Sequence, residues 1–201
     1  LCDIQYVAYG LLVVYGVDGD VEFRSYIVEK YEMLDICSPT NLRSLSNFNN
    51  TREFISKLLN GNSFYVMPKT FLDNQGFLKY VEELGDSYTR LEQATNNKRF
   101  NDTIRATMDV IYNTYVLGIL LGVDLDESTR MVHESNMSKI CSSDEEAQTN
   151  VDWYRKNETR YDSPNFRKSE FTEGFVVFNE STGKILKNVN YHAVDLRKFL
   201  E

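Results

Sequence analysis

Apolar residues recur every three or four positions over most of this chain, the spacing of helices that bury one face. The chain opens inside such a run, which carries through to Tyr15 and stops at Gly16. Residues 51–59 predict a short amphipathic helix ended by Asn60-Gly61-Asn62, and a loop with Pro68 follows. Residues 75–94 predict a long helix with Phe77, Leu78, Val81, Leu84, Tyr88 and Leu91 on its apolar side. Asn96-Asn97 predicts a turn, residues 100–121 the most apolar helix of the chain, and Asp126 to Lys139 another helix. Short connections between the central helices predict a bundle in which 75–94 and 100–121 pack antiparallel. Near the end the period changes. Phe175-Val176-Val177-Phe178 and Lys184-Ile185-Leu186 flank Asn179-Glu180-Ser181-Thr182-Gly183, a β-hairpin pattern within residues 173–187. Residues 141–172 are polar and read as an insertion or a mobile loop, and Val194 to Leu200 as a short terminal helix. The fold class expected is mainly α: an antiparallel four-helix bundle with a small C-terminal β-hairpin.

One stretch of the pattern occurs twice. Residues 1–20 laid over 107–126 give eight identities in twenty positions without a gap. Asp3, Tyr6, Tyr9 and Leu11 meet Asp109, Tyr112, Tyr115 and Leu117. Gly16-Val17-Asp18 meets Gly122-Val123-Asp124, and Asp20 meets Asp126. A shared helical period does not by itself reproduce Gly-Val-Asp-x-Asp at one offset. Gly16 and Gly122 are expected to end their helices as C-cap glycines, and the aspartates to cap the helices that follow. The break at Ser38-Pro39-Thr40-Asn41 then divides the chain: 1–38 is expected to be the C-terminal half of a first, degenerate copy, and 39–201 a second copy with an insertion at 141–172. The copies are expected to pair as a pseudo-dimer within the chain, or between chains as a homodimer. In the first case helix 1–15 meets helix 100–121 through Val7, Leu11, Val14, Ile111 and Leu117.

Charge narrows the function. Over 201 residues the net charge is −8 and the pI about 4.9. No basic surplus is available to neutralise a polymeric nucleic acid, although a small nucleotide carrying magnesium can still be met by carboxylates. Three cysteines, Cys2, Cys37 and Cys141, have no metal-ligand spacing and leave one unpaired, which fits an intracellular, cytoplasmic setting. Val7 to Tyr15 is too short to span a bilayer, and no membrane partner is expected.

Candidate chemistry lies in the carboxylates. Glu82, Glu83 and Asp86 fall at i, i+1 and i+4 of one helix, and Asp102 and Asp109 lie seven apart on the next. Antiparallel helices can bring such groups together over magnesium, while the same spacing also describes a solvated acidic face. These residues resemble a known pattern. The all-α nucleoside triphosphate pyrophosphohydrolases (MazG, dimeric dUTPases, phosphoribosyl-ATP pyrophosphohydrolase) carry Glu-Glu-x-x-Glu on one helix and an Asp followed by a Tyr on the next. Here these are Glu82-Glu83-x-x-Asp86, then Asp109 with Tyr112. Gly122-Val123-Asp124-Leu125-Asp126 and then Val132-His133-Glu134-Ser135-Asn136-Met137-Ser138-Lys139 resemble the segment that follows in many members. Gly183-Lys184-Ile185-Leu186-Lys187, Asn190-Tyr191 and Asp195-Leu196 resemble their close. The similarity spans roughly residues 48–140 and 173–200.

The resemblance implies that Glu82, Glu83, Asp86 and Asp109 are catalytic and, with Asp102, hold Mg2+. The metal would polarise a nucleoside triphosphate for attack by water at the α–β linkage, giving a monophosphate and pyrophosphate. It also implies that Asn136, Lys139, Tyr112, Arg105 and Lys187 meet the nucleotide. Bland readings stand beside these: Asn136 and Lys139 as a helix terminus with a dipole-compensating cation, Tyr112 as core, His133 as structural. Departures matter too. Arg105 stands four residues before Asp109, where relatives have an acid; it either weakens a magnesium site or grips phosphate. Gly85 is expected to break and weaken the acidic helix, by about 1 kcal/mol relative to Ala. Asp86 reaches less far than Glu. In the first copy Ile27, Lys30 and Met33 occupy the His133, Asn136 and Lys139 positions. Two functions follow: a magnesium-dependent pyrophosphohydrolase, or a catalytically degenerate nucleotide-binding or scaffold domain.

Overall fold

The computed structural model describes residues 1–34, 46–58, 75–170 and 172–199. The Ser38–Asn41 boundary, the Asn60–Asn62 stop and the Pro68 loop lie outside them. The elements are α1 (Cys2–Val14), α2 (Gly19–Met33), α3 (Asn47–Leu58), α4 (Gln75–Asn96), α5 (Phe100–Leu120), α6 (Leu125–Met137), α7 (Asp144–Asn157), then β1 (Pro164–Lys168), β2 (Phe175–Asn179) and β3 (Lys184–Ile185), and a 3-10 turn at Arg197–Phe199. The fold is therefore mainly helical with a small antiparallel sheet near the C-terminus. Two compact units divide it: Leu1–Thr129 with Leu196–Glu201, and Arg130–Asp195. Among the described residues no single helix is long and apolar enough to cross a membrane.

In the first unit α4 and α5 form a long hairpin, and α1 and α3 pack on α5. The turn of the hairpin is closed by Lys98, whose φ of 53° is the left-handed conformation that glycine takes at many helix ends. α4 runs unbroken through Gly85, where a Cβ would meet nothing within 4 Å. The expected break there does not occur, because a glycine within a long packed helix costs only its propensity. The core gathers Leu12, Phe23, Ile27, Tyr31, Phe54, Met108, Ile111, Tyr115 and Leu125.

The turn between α1 and α2 recurs between α5 and α6 in its main hydrogen bonds. Gly16 and Gly122 have φ of 70° and 71°. Val17 N donates to Leu12 O at 2.9 Å and Val123 N to Gly118 O at 2.8 Å. Asp18 Oδ1 accepts from Val21 N and Asp124 Oδ1 from Glu127 N, both at 3.1 Å. The packing across the two turns is complementary rather than copied. A Cβ on Gly19 would fall 2.8 Å from Tyr9 and 3.0 Å from Leu12, and one on Gly118 only 2.5 Å from Leu125. Leucine precedes glycine in one pair and follows it in the other, so each turn has room for a single large side chain.

α1 does pack against α5, but not through the face expected from its apolar spacing. Val7 and Val14 are 70% and 81% exposed, while Gln5, Ala8 and Leu12 are buried. Small Ala8 permits close approach of the helices, and Gln5 is held by Thr129, whose hydroxyl donates to its Oε1 at 3.0 Å. Hydroxyls run through this contact. Tyr115 donates to Asp126 Oδ1 at 2.5 Å, so its neighbour Tyr9, 3.4 Å away, must donate to it. Asn47 Nδ2 donates in turn to Tyr9 at 2.9 Å and to Asp20 Oδ1 at 2.8 Å, and Phe48 N to Asp126 Oδ2 at 3.0 Å. Asp20 and Asp126 thereby both hold the first turn of α3, a helix start that favours carboxylates.

In the second unit α7 packs on the sheet β1-β2-β3 over Cys141, Ala147, Val151, Tyr154, Val177 and Leu186. The hairpin expected at 173–187 is present, but it is joined by β1, with Arg167 paired to Val176. Residues 141–172 are thus not the mobile loop that their polarity implied. Ser143 caps α7 through Glu146 N, and a few apolar side chains suffice to seat an otherwise polar helix. The expected terminal helix at 194–200 is reduced to the turn Arg197–Phe199.

The exchanged Leu and Gly generate a stability prediction. Gly118→Leu alone overfills the turn and should cost about 1–3 kcal/mol or more. Adding Leu125→Gly should recover part of that loss in urea denaturation; simple additivity of the two changes would show that the side chains do not share one space.

Candidate functional site

Three helices of the first unit bring rows of side chains together around Asp109. On α2 the row is Tyr26, Glu29 and Lys30; on α4 it is Glu83, Ser87 and Arg90; on α5 it is Arg105, Asp109 and Tyr112. On α4 and α5 the spacing is three or four, and on α2 the adjacent Glu29 and Lys30 both lie within one turn of Tyr26, so each set occupies one helix face. Asp109 is the hub. The Tyr26 hydroxyl donates a short hydrogen bond to its Oδ1, and Arg90 Nη2 lies 3.5 Å from its Oδ2. Arg90 is steadied by a bond to Ser87 Oγ at 2.9 Å. Ser87, fully buried, donates to Glu83 O at 2.8 Å and accepts from Asn113 at 2.7 Å, which fixes α4 against α5.

Cations crowd this hub. Arg105 forms an ion pair with Glu29 and lies 5.3 Å from the Tyr26 ring centre. Lys30 Nζ lies 4.7 Å from the centre of Tyr26 and 4.4 Å from that of Tyr112. Burial lowers the Lys30 pKa, opposed by the charges of Asp109 and Glu83. The hydrogen bond to Glu29 raises that of Arg105. A pocket of about 300 Å³ is lined by Arg90, Arg99, Asp102, Arg105 and Asp109 among others. A neighbouring pocket of about 250 Å³ reaches Arg105 from the side of Tyr26, Phe100, Ile104 and Met108.

The carboxylates read as a metal set are not assembled. Glu82 and Asp86 are exposed, Asp102 pairs with Arg99 at 3.0 Å, and Asp109 is engaged by Tyr26 and Arg90. No group of three or more His, Cys, Asp or Glu side chains that could hold a metal occurs among the described residues. Magnesium wants several oxygen ligands in near-octahedral array, and this donor set does not fit it.

The nucleotide set also divides. Arg105 and Tyr112 lie in the first unit, Asn136, Lys139 and Lys187 in the second. There Lys139 donates to Asn136 Oδ1 at 2.6 Å, and Lys187 and Lys139 lie 4.4 and 5.8 Å from the Tyr191 ring centre. Ser135 Oγ donates to His192 O at 2.8 Å, and His192 N donates to Ser138 Oγ at 3.1 Å. The Ser-Asn-Met-Ser-Lys stretch thus ties down residues 191–192 within its own unit. His133 is exposed.

These helices have relatives. Residues 67–136 match phosphoribosyl-ATP pyrophosphohydrolase. That family belongs to the all-α, MazG-like NTP pyrophosphohydrolases. The pyrophosphohydrolase match covers Glu82 to Tyr112 and reaches Asn136, but excludes Lys139, Lys187 and all of α2. The chain is also 27% identical to an uncharacterized protein of Acanthamoeba polyphaga mimivirus, over 99% of its own length and 70% of the relative's. No solved structure matches it.

Tyr26, Lys30, Ser87, Arg90 and Arg99 belong to the cleft and escape a motif reading. Lys30 alone is visible beforehand, as the cation at the position matching Asn136.

Buried tyrosines make the unit sensitive to alkali. Burial pushes Tyr9 up to about 12, and lifts Tyr26, Tyr112 and Tyr115 well above their ordinary range, with Asp109 adding to the effect at Tyr26. Their pKa values are raised on folding, so their contribution is complete below about pH 10, where unfolded tyrosine titrates, and is lost as pH rises through about 12. The urea midpoint should therefore fall between about pH 9 and pH 11.5, together with tyrosinate absorbance on unfolding. An unchanged midpoint would refute the buried network.

Proposed function

We propose that this chain binds nucleoside triphosphates in the α2–α4–α5 cleft, with arginines meeting the polyphosphate directly. The observation that supports this is the pocket that places Arg90, Arg99 and Arg105 beside two aspartates. Arginine's planar fork matches phosphate oxygens two at a time. In a chain of net charge −8, a local cationic surplus also concentrates an anionic ligand where the surface elsewhere repels it. The adjoining pocket beside Tyr26, Phe100, Ile104 and Met108 offers aromatic and apolar surface for a base. The family match supports a pyrophosphohydrolase-like activity on nucleotides. We read the cleft as the nucleotide-binding form of that site, in which two carboxylates are engaged by arginines. The repeated turns and the paired tyrosines are consistent with two related halves, the first lending α2 to the cleft of the second.

A second reading is magnesium-dependent hydrolysis of a nucleoside triphosphate to monophosphate and pyrophosphate. Glu82-Glu83-x-x-Asp86, which lies within the matched residues, favours it. Calorimetry with a panel of deoxynucleoside triphosphates separates the two. Arg105→Glu should weaken binding by about tenfold to a hundredfold, the value of charge-assisted bonds to phosphate. A variant that binds as well as the parent would remove Arg105 from the site. Pyrophosphate release that requires magnesium and is lost in Glu83→Gln would establish the hydrolytic reading instead.

A further inference from the structure

We propose that Lys30, seated on the Tyr26 and Tyr112 rings beside Asp109, supplies the cation that answers this acid cluster, so that polyphosphate recognition in this cleft needs no divalent metal. This rests on the nucleotide-binding reading and deepens it. Carboxylates on neighbouring helices are the usual seat of a magnesium ion in a phosphate site, where the ion neutralises both the acids and the ligand. Here the neutralising charge arrives on a third helix. The ammonium of Lys30 sits over both Tyr26 and Tyr112, at 4.7 and 4.4 Å from the centres of two rings that are themselves 6.0 Å apart. Both rings attract a cation through their π faces. Tyr26 is in turn bonded to Asp109. Glu83 and Asp109 are the attractive charges that act on Lys30, and Arg90 and Arg105 are the repulsive ones.

The consequence is an exclusion. A divalent ion entering between Glu83 and Asp109 meets a fixed ammonium and two guanidinium groups, and like charges at a few ångströms repel strongly in a part-buried cleft. The ammonium cannot drift away without leaving both ring faces. Metal-free polyphosphate meets no such obstacle, since each cation here is a donor for its oxygens. At the corresponding position of the second helix pair stands Asn136, a neutral residue that donates and accepts hydrogen bonds. The lysine is thus a feature of α2 and not of the repeated pattern.

The test uses the whole chain with inorganic tripolyphosphate, which removes any question of base preference, and with Mn2+ as a spectroscopic probe. Calorimetry should show tripolyphosphate bound at least as tightly in excess EDTA as in excess magnesium. Lys30→Met should weaken binding in EDTA by about tenfold, with Lys30→Arg retaining most of it. In electron paramagnetic resonance without any anion, Lys30→Met should bind Mn2+ about tenfold more tightly than the parent. Circular dichroism of each variant confirms its helices, and Lys30→Gln replaces Lys30→Met if that variant fails to fold. Binding that appears only with magnesium overturns the metal-free proposal but leaves the nucleotide reading standing. A Lys30→Met variant unchanged in both measurements also overturns it. No tripolyphosphate binding in either medium overturns the two together.

Discussion

The first unit hangs on a directed line of hydroxyls. Asn47 donates to Tyr9, Tyr9 to Tyr115, and Tyr115 to the carboxylate of Asp126. Only one direction satisfies every member, because a carboxylate cannot return a proton and each tyrosine has one to give. That line crosses from α3 to α1 to α5 and ends at the start of α6. A buried hydroxyl without its partner costs the whole desolvation penalty, so the four helices cannot slide separately. Phe23 and Phe48 wall it in, 5.4 and 6.2 Å from the Tyr115 ring centre.

About two helix turns back along α5, at Asp109, the same rigid frame holds charge. α2 is held by the turn after α1, and burial of Phe23, Ile27 and Tyr31 on the adjacent rows turns its Tyr26, Glu29 and Lys30 toward Asp109. The site is therefore composite. Acids and arginines come from the α4–α5 hairpin, while a hydroxyl, an ammonium and a counter-carboxylate come from α2. Removing α2 would leave Asp109 with Arg90 alone, and its hydroxyl donor would be lost.

Much of this was legible before any coordinates. Helix periods located α3 to α6 within a few residues, and the Gly-Val-Asp strings marked two turns that prove alike down to individual hydrogen bonds. Legibility failed where a contact depends on two elements at once. Val7 and Asn113 occupy matching positions, yet Asn113 donates to Ser87 of α4 while Val7 faces solvent. No period in α1 could reveal which of its faces would find a partner. Polarity likewise concealed α7 and β1, since Ala147, Val151 and Tyr154 are few among charged neighbours but lie on one face. At the cleft the family match spans the acids of α4 and α5, whereas Lys30, the cation on α2, lies on a helix outside that match.

The mirrored leucine and glycine carry a consequence for how such a chain can change over time. Leu12 lies against Gly19, and Gly118 against Leu125. A recombinant that exchanged the two turns would join α1 to α6, or α5 to α2. The first hybrid sets leucine against leucine in a space for one; the second sets glycine against glycine and leaves a hole. Either junction is penalised in the folded product. The opposed side chains make each hybrid poorer than its parents. The two turns therefore cannot be exchanged as cassettes, although their hydrogen bonds match.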